Sequence, residues 1–134
     1  MKDKPAKKMD NIIELLSTLK DEDYCYLTTT GRVTGKLHEI EIWFGINDNI
    51  LYLLAGGGDK SDWVKNLLKN PSVTVRIAQH TFTGIARLVT EEQEDTNARY
   101  RLAEKYQEWE EGRMLSQWAR TALAVAIDFG ISEP

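Results

Sequence analysis

The hydrophobic period of this chain switches between helical and extended several times, and polar clusters mark each switch. Ile12, Ile13, Leu15, Leu16 and Leu19 recur at helical spacing behind Asp10, whose short carboxylate suits an N-cap. Residues 1–9, with four lysines, read as a flexible tail ahead of that helix, and Asp21-Glu22-Asp23 closes it. Tyr24 to Thr30 is aromatic and β-branched, a strand. Gly31 and Gly35 bound a turn, and Leu37 to Phe44 alternates. Ile40, Ile42 and Phe44 share one face there, with Glu39, Glu41 and Trp43 on the other. Asn47-Asp48-Asn49 is a turn, and Ile50 to Ala55 completes a hairpin.

Gly56-Gly57-Gly58 breaks that strand. Ser61 is placed to cap a short helix with the stripe Trp63, Val64, Leu67 and Leu68, which must stop before Pro71. Val73, Val75 and Ile77 alternate, Gln79-His80 turns, and Thr81 to Val89 runs back. Thr90 and Gln93 fit a capping box for a helix carrying Ala98, Leu102, Tyr106 and Trp109. Thr121 to Phe129 is a last apolar strand. The order α-β-β-β-α-β-β-α-β has hairpins where an α/β protein would have crossovers. It predicts a mainly β fold, an antiparallel sheet or barrel with packed helices, as a single domain over residues 1–134.

Composition narrows the function classes. Lys plus Arg is 17 against 21 for Asp plus Glu, a net charge of −4, which argues against nucleic acid because phosphate neutralisation needs basic excess. The acid is concentrated: residues 91 to 111 hold eight acids and three bases. Cys25 is the single cysteine, so no intramolecular disulfide forms, and with only His38 and His80 there is no zinc-ligand set. No apolar run approaches the roughly 20 residues of a bilayer span, and no signal-like segment follows the N-terminal lysines. The expectation is a cytoplasmic protein without firm membrane association.

Common catalytic motifs are absent: no phosphate loop ending in Gly-Lys-Ser/Thr, no dinucleotide fingerprint, no Gly-x-Ser-x-Gly. Glu91, Glu92 and Glu94 fall in a helix's first turn, where they complement its dipole. Cys25, mid-strand, reads as a small core residue, and both histidines as surface or turn residues. Two segments remain. Thr28 to Lys36 offers three hydroxyls, glycine-freed amides and two cations with no acid between them. It is either a site for an oxyanion or a solvated hairpin turn. Ala55 to Trp63 places three glycines at a strand end, where a flat ligand can approach the backbone, and then opens a helix.

Taken in order, Thr28-Thr29-Thr30-Gly31-Arg32-x-Thr34-Gly35-Lys36, the strand ending in Trp43-Phe44, Ala55-Gly-Gly-Gly58, Ser61-Asp62-Trp63-Val64-Lys65-Asn66-Leu67 and Asn70-Pro71-x-Val73 resemble the deazaflavin-dependent nitroreductase family. These are relatives of the pyridoxamine-phosphate-oxidase-like FMN-binding proteins, and the resemblance covers about residues 24 to 90. It implies a split β-barrel of antiparallel strands with packed helices. It also implies a cofactor, either the deazaflavin coenzyme F-420 or FMN, and hydride transfer to a small-molecule electron acceptor: a quinone, a nitro compound or an activated alkene. Relatives on this scaffold commonly pair, so a homodimer is the assembly it suggests.

By the same resemblance Thr30, Gly31, Arg32, Thr34, Gly35 and Lys36, continuing from Thr29, form the loop that holds the cofactor phosphate. Ala55, Gly56 and Gly57 meet the ring system, and Trp63 and Asn66 match the Trp and Asn of the following helix, where Trp63 is equally suited to anchor the core. The chain departs from the family at three places. Val33 stands where a basic residue usually follows the arginine, Leu37-His38 stands for Pro-Arg, and Gly56-Gly57 for Ser-Lys. Three cations that would meet a polyanionic tail are replaced, which leaves His38 and Lys60 as substitute donors. These departures motivate an alternative, a carrier for a flavin, haem or lipid-like ligand without turnover, and the acidic helix motivates an interaction module. No catalytic residue stands out. Charge developing on an acceptor can be met by amides near Gly56 or by Tyr24, Tyr26 or Tyr52.

Overall fold

Strict alternation in the first strand sets the architecture: Cys25, Leu27 and Thr29 are buried and the residues between them are not. The structure, a computed structural model, describes residues 5–130. The elements in chain order are α1 (Pro5–Leu19), β1 (Cys25–Thr30), β2 (Leu37–Ile42), β3 (Gly45–Asn47), β4 (Ile50–Ala55), α2 (Asp62–Lys69), β5 (Ser72–Ile77), β6 (His80–Leu88), α3 (Glu92–Gln107), α4 (Gln117–Thr121) and β7 (Leu123–Phe129), with a 3-10 turn at Gly58–Lys60. The seven strands form one sheet in the order β2-β1-β5-β6-β7-β4-β3, antiparallel at every pairing. The sheet curls into a half-barrel, the split-barrel class the sequence resemblance implies.

One face carries Leu27, Phe44, Leu53, Val75 and Ile127 against Leu16 of α1 and Leu67 of α2. The other carries Tyr52, Leu54 and Ala126 against Ala98 and Leu102 of α3. Burying aliphatic and aromatic groups of this size contributes about 1.5–3 kcal/mol each. Gly84, opposite Phe129, is required by the packing between β6 and β7. A Cβ there would come within 2.6 Å of Ile127 Cγ2 and 2.9 Å of the Asp128 carbonyl oxygen. Among the described residues no helix is long and apolar enough to cross a membrane.

Several expected boundaries move. α1 begins at Pro5, so residues 5–9 are helical and Asp10 is interior; proline fits the first helical position, where its missing amide has no partner to lose. Residues 1–4 of the expected tail lie outside the described residues. The strand expected to run to Phe44 stops at Ile42. The Phe44 amide donates instead to the Tyr106 hydroxyl (3.0 Å), and its carbonyl accepts from Lys105 Nζ (3.2 Å), so α3 takes the backbone groups a sheet partner would use. The cap of α3 is Glu91, not Thr90: its two carboxylate oxygens accept from the Gln93 amide at 3.0 Å and the Glu94 amide at 2.6 Å. α3 ends at Gln107, where Glu108 turns left-handed (φ 54°), before the expected Trp109. Ser61 holds the N-cap position of α2, but its hydroxyl accepts no bond from the helix. α4, capped by Ser116, occupies Thr121 and delays the last strand to Leu123.

Candidate functional site

The register of β1 and β2 builds the site. Cys25 opposes Ile42, Leu27 opposes Ile40 and Thr29 opposes His38, so His38 continues the core-facing side of β2 just where apolar side chains give out. A cleft of about 740 Å³ opens there. It brings together Gly31, Arg32, Thr34, His38, Trp63 and Asn66, all of them expected site residues. Ile40 lines it too, and Trp63 packs partly on the core.

Asn66 organises this cleft from α2, at 4% exposure. Its Oδ1 accepts from the Arg32 amide (3.2 Å) and from Arg32 Nη1 (2.9 Å), and its Nδ2 donates to Thr29 Oγ1 (3.2 Å). Thr29 is 1% exposed, so it supports the loop from below and offers no free hydroxyl. Arg32 Nη2 donates to Asp62 Oδ1 at 3.1 Å, so the guanidinium holds the loop to α2. The loop also closes on itself. The Gly31 amide donates to the Lys36 carbonyl (2.7 Å), the Gly35 amide to the Gly31 carbonyl (3.0 Å), and the Lys36 amide to Thr34 Oγ1 (3.2 Å). Gly35 sits at φ +75°, a conformation that favours glycine, and a Cβ on Gly31 would come to 3.0 Å from His38 Nε2. Lys36 is exposed and has no ion-pair partner among the described residues.

The remaining expected residues lie elsewhere. Thr30 lines a neighbouring cavity with Thr28, Thr74 and Asn70. Ala55 is buried opposite Leu123, and Lys60 is exposed in the 3-10 turn. Gly57 leans on Ser61, whose Oγ would be 2.6 Å from an added Cβ. Gly56 packs against Trp118, with 3.5 Å from the position of a Cβ to Trp118 Cδ1. None of these five lines the large cleft. The strand end instead adjoins a second cleft of about 380 Å³, lined by Tyr24, Ile42, Trp43, Leu54 and Trp118 among others. Ile40 belongs to the first cleft and Ile42 to the second, on one face of β2 and about 7 Å apart by strand rise.

Sequence reasoning missed the aromatic side of this second cleft. Trp43 stacks on Tyr106 with centroids 4.3 Å apart and planes 2° from parallel, and meets Trp118 edge-on at 5.5 Å. Behind the stack Lys105 Nζ sits 3.6 Å from the Phe44 ring centroid. Burial pushes the Lys105 ammonium down to about 8, and it pushes the Tyr106 hydroxyl and the buried Cys25 thiol each up to about 12. The available signal was the Trp43-Phe44 pair, which ended the alternation; nothing local ties Trp118 to it.

Of the three tyrosines considered as donors, only Tyr24 faces a cleft. The Tyr26 hydroxyl donates to Glu41 Oε1 at 2.8 Å. Tyr52 is 2% exposed under α3 and donates to Glu94 Oε2 at 2.7 Å; burial first, then that carboxylate, raise its pKa. Among the described residues there is no group of three or more His, Cys, Asp or Glu side chains that could hold a metal ion.

Comparison with known proteins completes the description. The family model for F420H(2)-dependent quinone reductase matches residues 3–128. Among solved structures, a conserved hypothetical protein from Mycobacterium tuberculosis superposes with a TM-score of 0.72 at 20% identity, over 87% of this chain and 78% of that one. A structure described as an F420-H2 dependent reductase gives 0.61 at 20% identity, over 79% and 94%. The haem storage protein HutZ of Vibrio cholerae gives 0.64 at 16% identity, over 87% of each. At such identities the structural likenesses establish the fold alone. No curated protein matches the chain.

Proposed function

Because the chain belongs to the F420H(2)-dependent quinone reductase family, and is therefore an oxidoreductase using coenzyme F-420, we propose that it carries electrons from the reduced cofactor to a quinone or nitro acceptor across the two adjoining clefts. The observation that carries this reading is their placement. A polar, loop-bounded cleft and an aromatic-walled one share a face of β2, with the glycine strand end beside the second.

The residues fit such a cofactor. The larger cleft has the volume of a small-molecule site and an apolar floor of Ile40 and Trp63. Thr34 and Lys36 supply donors for one phosphate, and the bond from Asn66 to the loop keeps them in place. The strand end of β4 lies beside the second cleft, where Gly56 packs on Trp118 and Gly57 on Ser61. Bound there, the reduced cofactor supplies the hydride. The chain's own work is to orient: Trp43 and Trp118 wall the acceptor, and Tyr24, which lines the same cleft, carries a hydroxyl that can donate to an acceptor oxygen as charge develops.

Titrating the purified chain with coenzyme F-420, FMN and haem, and then following oxidation of the reduced deazaflavin with menadione and with a nitroaromatic, tests the proposal. Binding of the deazaflavin with acceptor-dependent oxidation is expected. Binding without turnover over both acceptor classes would overturn it in favour of a carrier.

A further inference from the structure

The outer rim of the larger cleft is unusual for a site that receives an anion. Val33, from the loop, is 88% exposed and Leu37, at the start of β2, is 72% exposed, and both line it. Of the charged side chains lining the cleft, Glu39 is paired with Arg76 at 4.0 Å, and Asp62 stands with one cation, Arg32. That cation is already paired with Asp62 at 3.1 Å. Lys36, beside the rim, is one charge, which matches one phosphate and nothing further.

Coenzyme F-420 continues beyond its phosphate into a chain of glutamates, and every added glutamate adds a carboxylate. On this rim those carboxylates would meet alkyl groups and ion pairs that are already closed, so they gain most by staying in water. There they are screened over about 8 Å at physiological salt. Resting on the cofactor reading above, we propose that this chain recognises coenzyme F-420 through its ring and its single phosphate and is indifferent to the length of its glutamate tail. Val33 and Leu37 are the residues that set this indifference.

The test is equilibrium binding, followed by the fluorescence of the oxidised cofactor, with one-glutamate and five-or-more-glutamate forms at low and at moderate salt. Dissociation constants for the two forms should agree within about twofold at both salts. The double variant Val33→Arg, Leu37→Arg should bind the long form about tenfold more tightly than the short one at low salt, and lose that preference as salt rises. Tighter binding of the long form by the unaltered chain, tenfold or more and salt-sensitive, would overturn the proposal. So would a double variant that binds both forms alike. No binding of either form, with FMN or haem bound instead, would overturn the cofactor reading itself.

Discussion

Two arginines tie a helix to the sheet on opposite sides of the molecule, and their surroundings differ. Arg87 of β6 meets Glu94 of α3 through two 2.8 Å bonds and Asp128 of β7 through bonds of 2.7 and 3.2 Å. Tyr52 adds a further bond to Glu94, and both carboxylate side chains are under 20% exposed. Arg87 holds the Glu94 carboxyl below its ordinary range, while its own pKa rises. Arg32 has one carboxylate partner, Asp62, whose side chain is 84% exposed, and a shared amide oxygen on Asn66. On the α3 side every guanidinium nitrogen of Arg87 is engaged by a carboxylate. The α2 side is held weakly enough to rearrange around one.

Breaking the saturated side should cost most. Arg87→Met leaves two poorly solvated carboxylates facing each other, so urea denaturation should show a loss of about 2–3 kcal/mol, with affinity for coenzyme F-420 unchanged. An unmoved stability would remove the contrast between the two sides. On the α2 side, Asn66→Ala unpairs Thr29 and frees the loop, costing about 1–2 kcal/mol of stability and about tenfold in cofactor affinity by fluorescence titration.

A pH profile separates the sides further. Lys105, whose folded value is about 8 against 10.5 unfolded, binds fewer protons folded than unfolded in between, so its contribution to stability rises with pH there. From about pH 8 Cys25 opposes it, because its thiol, ordinarily at 9.0, holds its proton to about 12 when folded. Between pH 8 and 9 the two effects nearly offset, so stability should climb by only about 0.2 kcal/mol once the lysine is discounted for its solvent-screened half, and Lys105→Met should turn the climb into a fall of about 0.3 kcal/mol. A climb that survives in the variant would mean another group is responsible. The smallest effect belongs to the exposed pair: Asp62→Ala should change stability by less than about 0.5 kcal/mol. It should also tighten cofactor binding about twofold, as the guanidinium turns to the phosphate; weaker binding would show that Asp62 positions Arg32 for it.

The sequence was informative where structure is local. Aromatic and β-branched composition marked β1, alternation marked β5, the turn after it marked the body of β6, and the Thr-Gly loop and α2 were visible as neighbours along the chain. What escaped depends on partners far away in sequence. The break after Ile42 follows from Tyr106, which reaches Phe44 across 62 residues. α4 spans five residues, too few for a helical period to register, so Trp118 could not be assigned to a cleft. The loop itself contains no acid, yet the acid that engages Arg32 comes from α2, 30 residues on. Candidate residues on one hairpin and one helix were therefore legible, and the aromatic wall assembled from Trp43 after β2, α3 and α4 was not.

The position of β7 has a consequence for how the molecule comes to exist. It is the last strand in chain order, yet it lies inside the sheet, between β6 and β4. While the chain leaves the ribosome, β2-β1-β5-β6 can assemble as one piece and β3-β4 as another, with no strand pairing to join them until Leu123–Phe129 emerges. In that interval β6 and β4 both present unpaired backbone edges, a template for association with other nascent chains. The sealing event is β7 sliding over Gly84, where the absence of a side chain lets the two pieces meet.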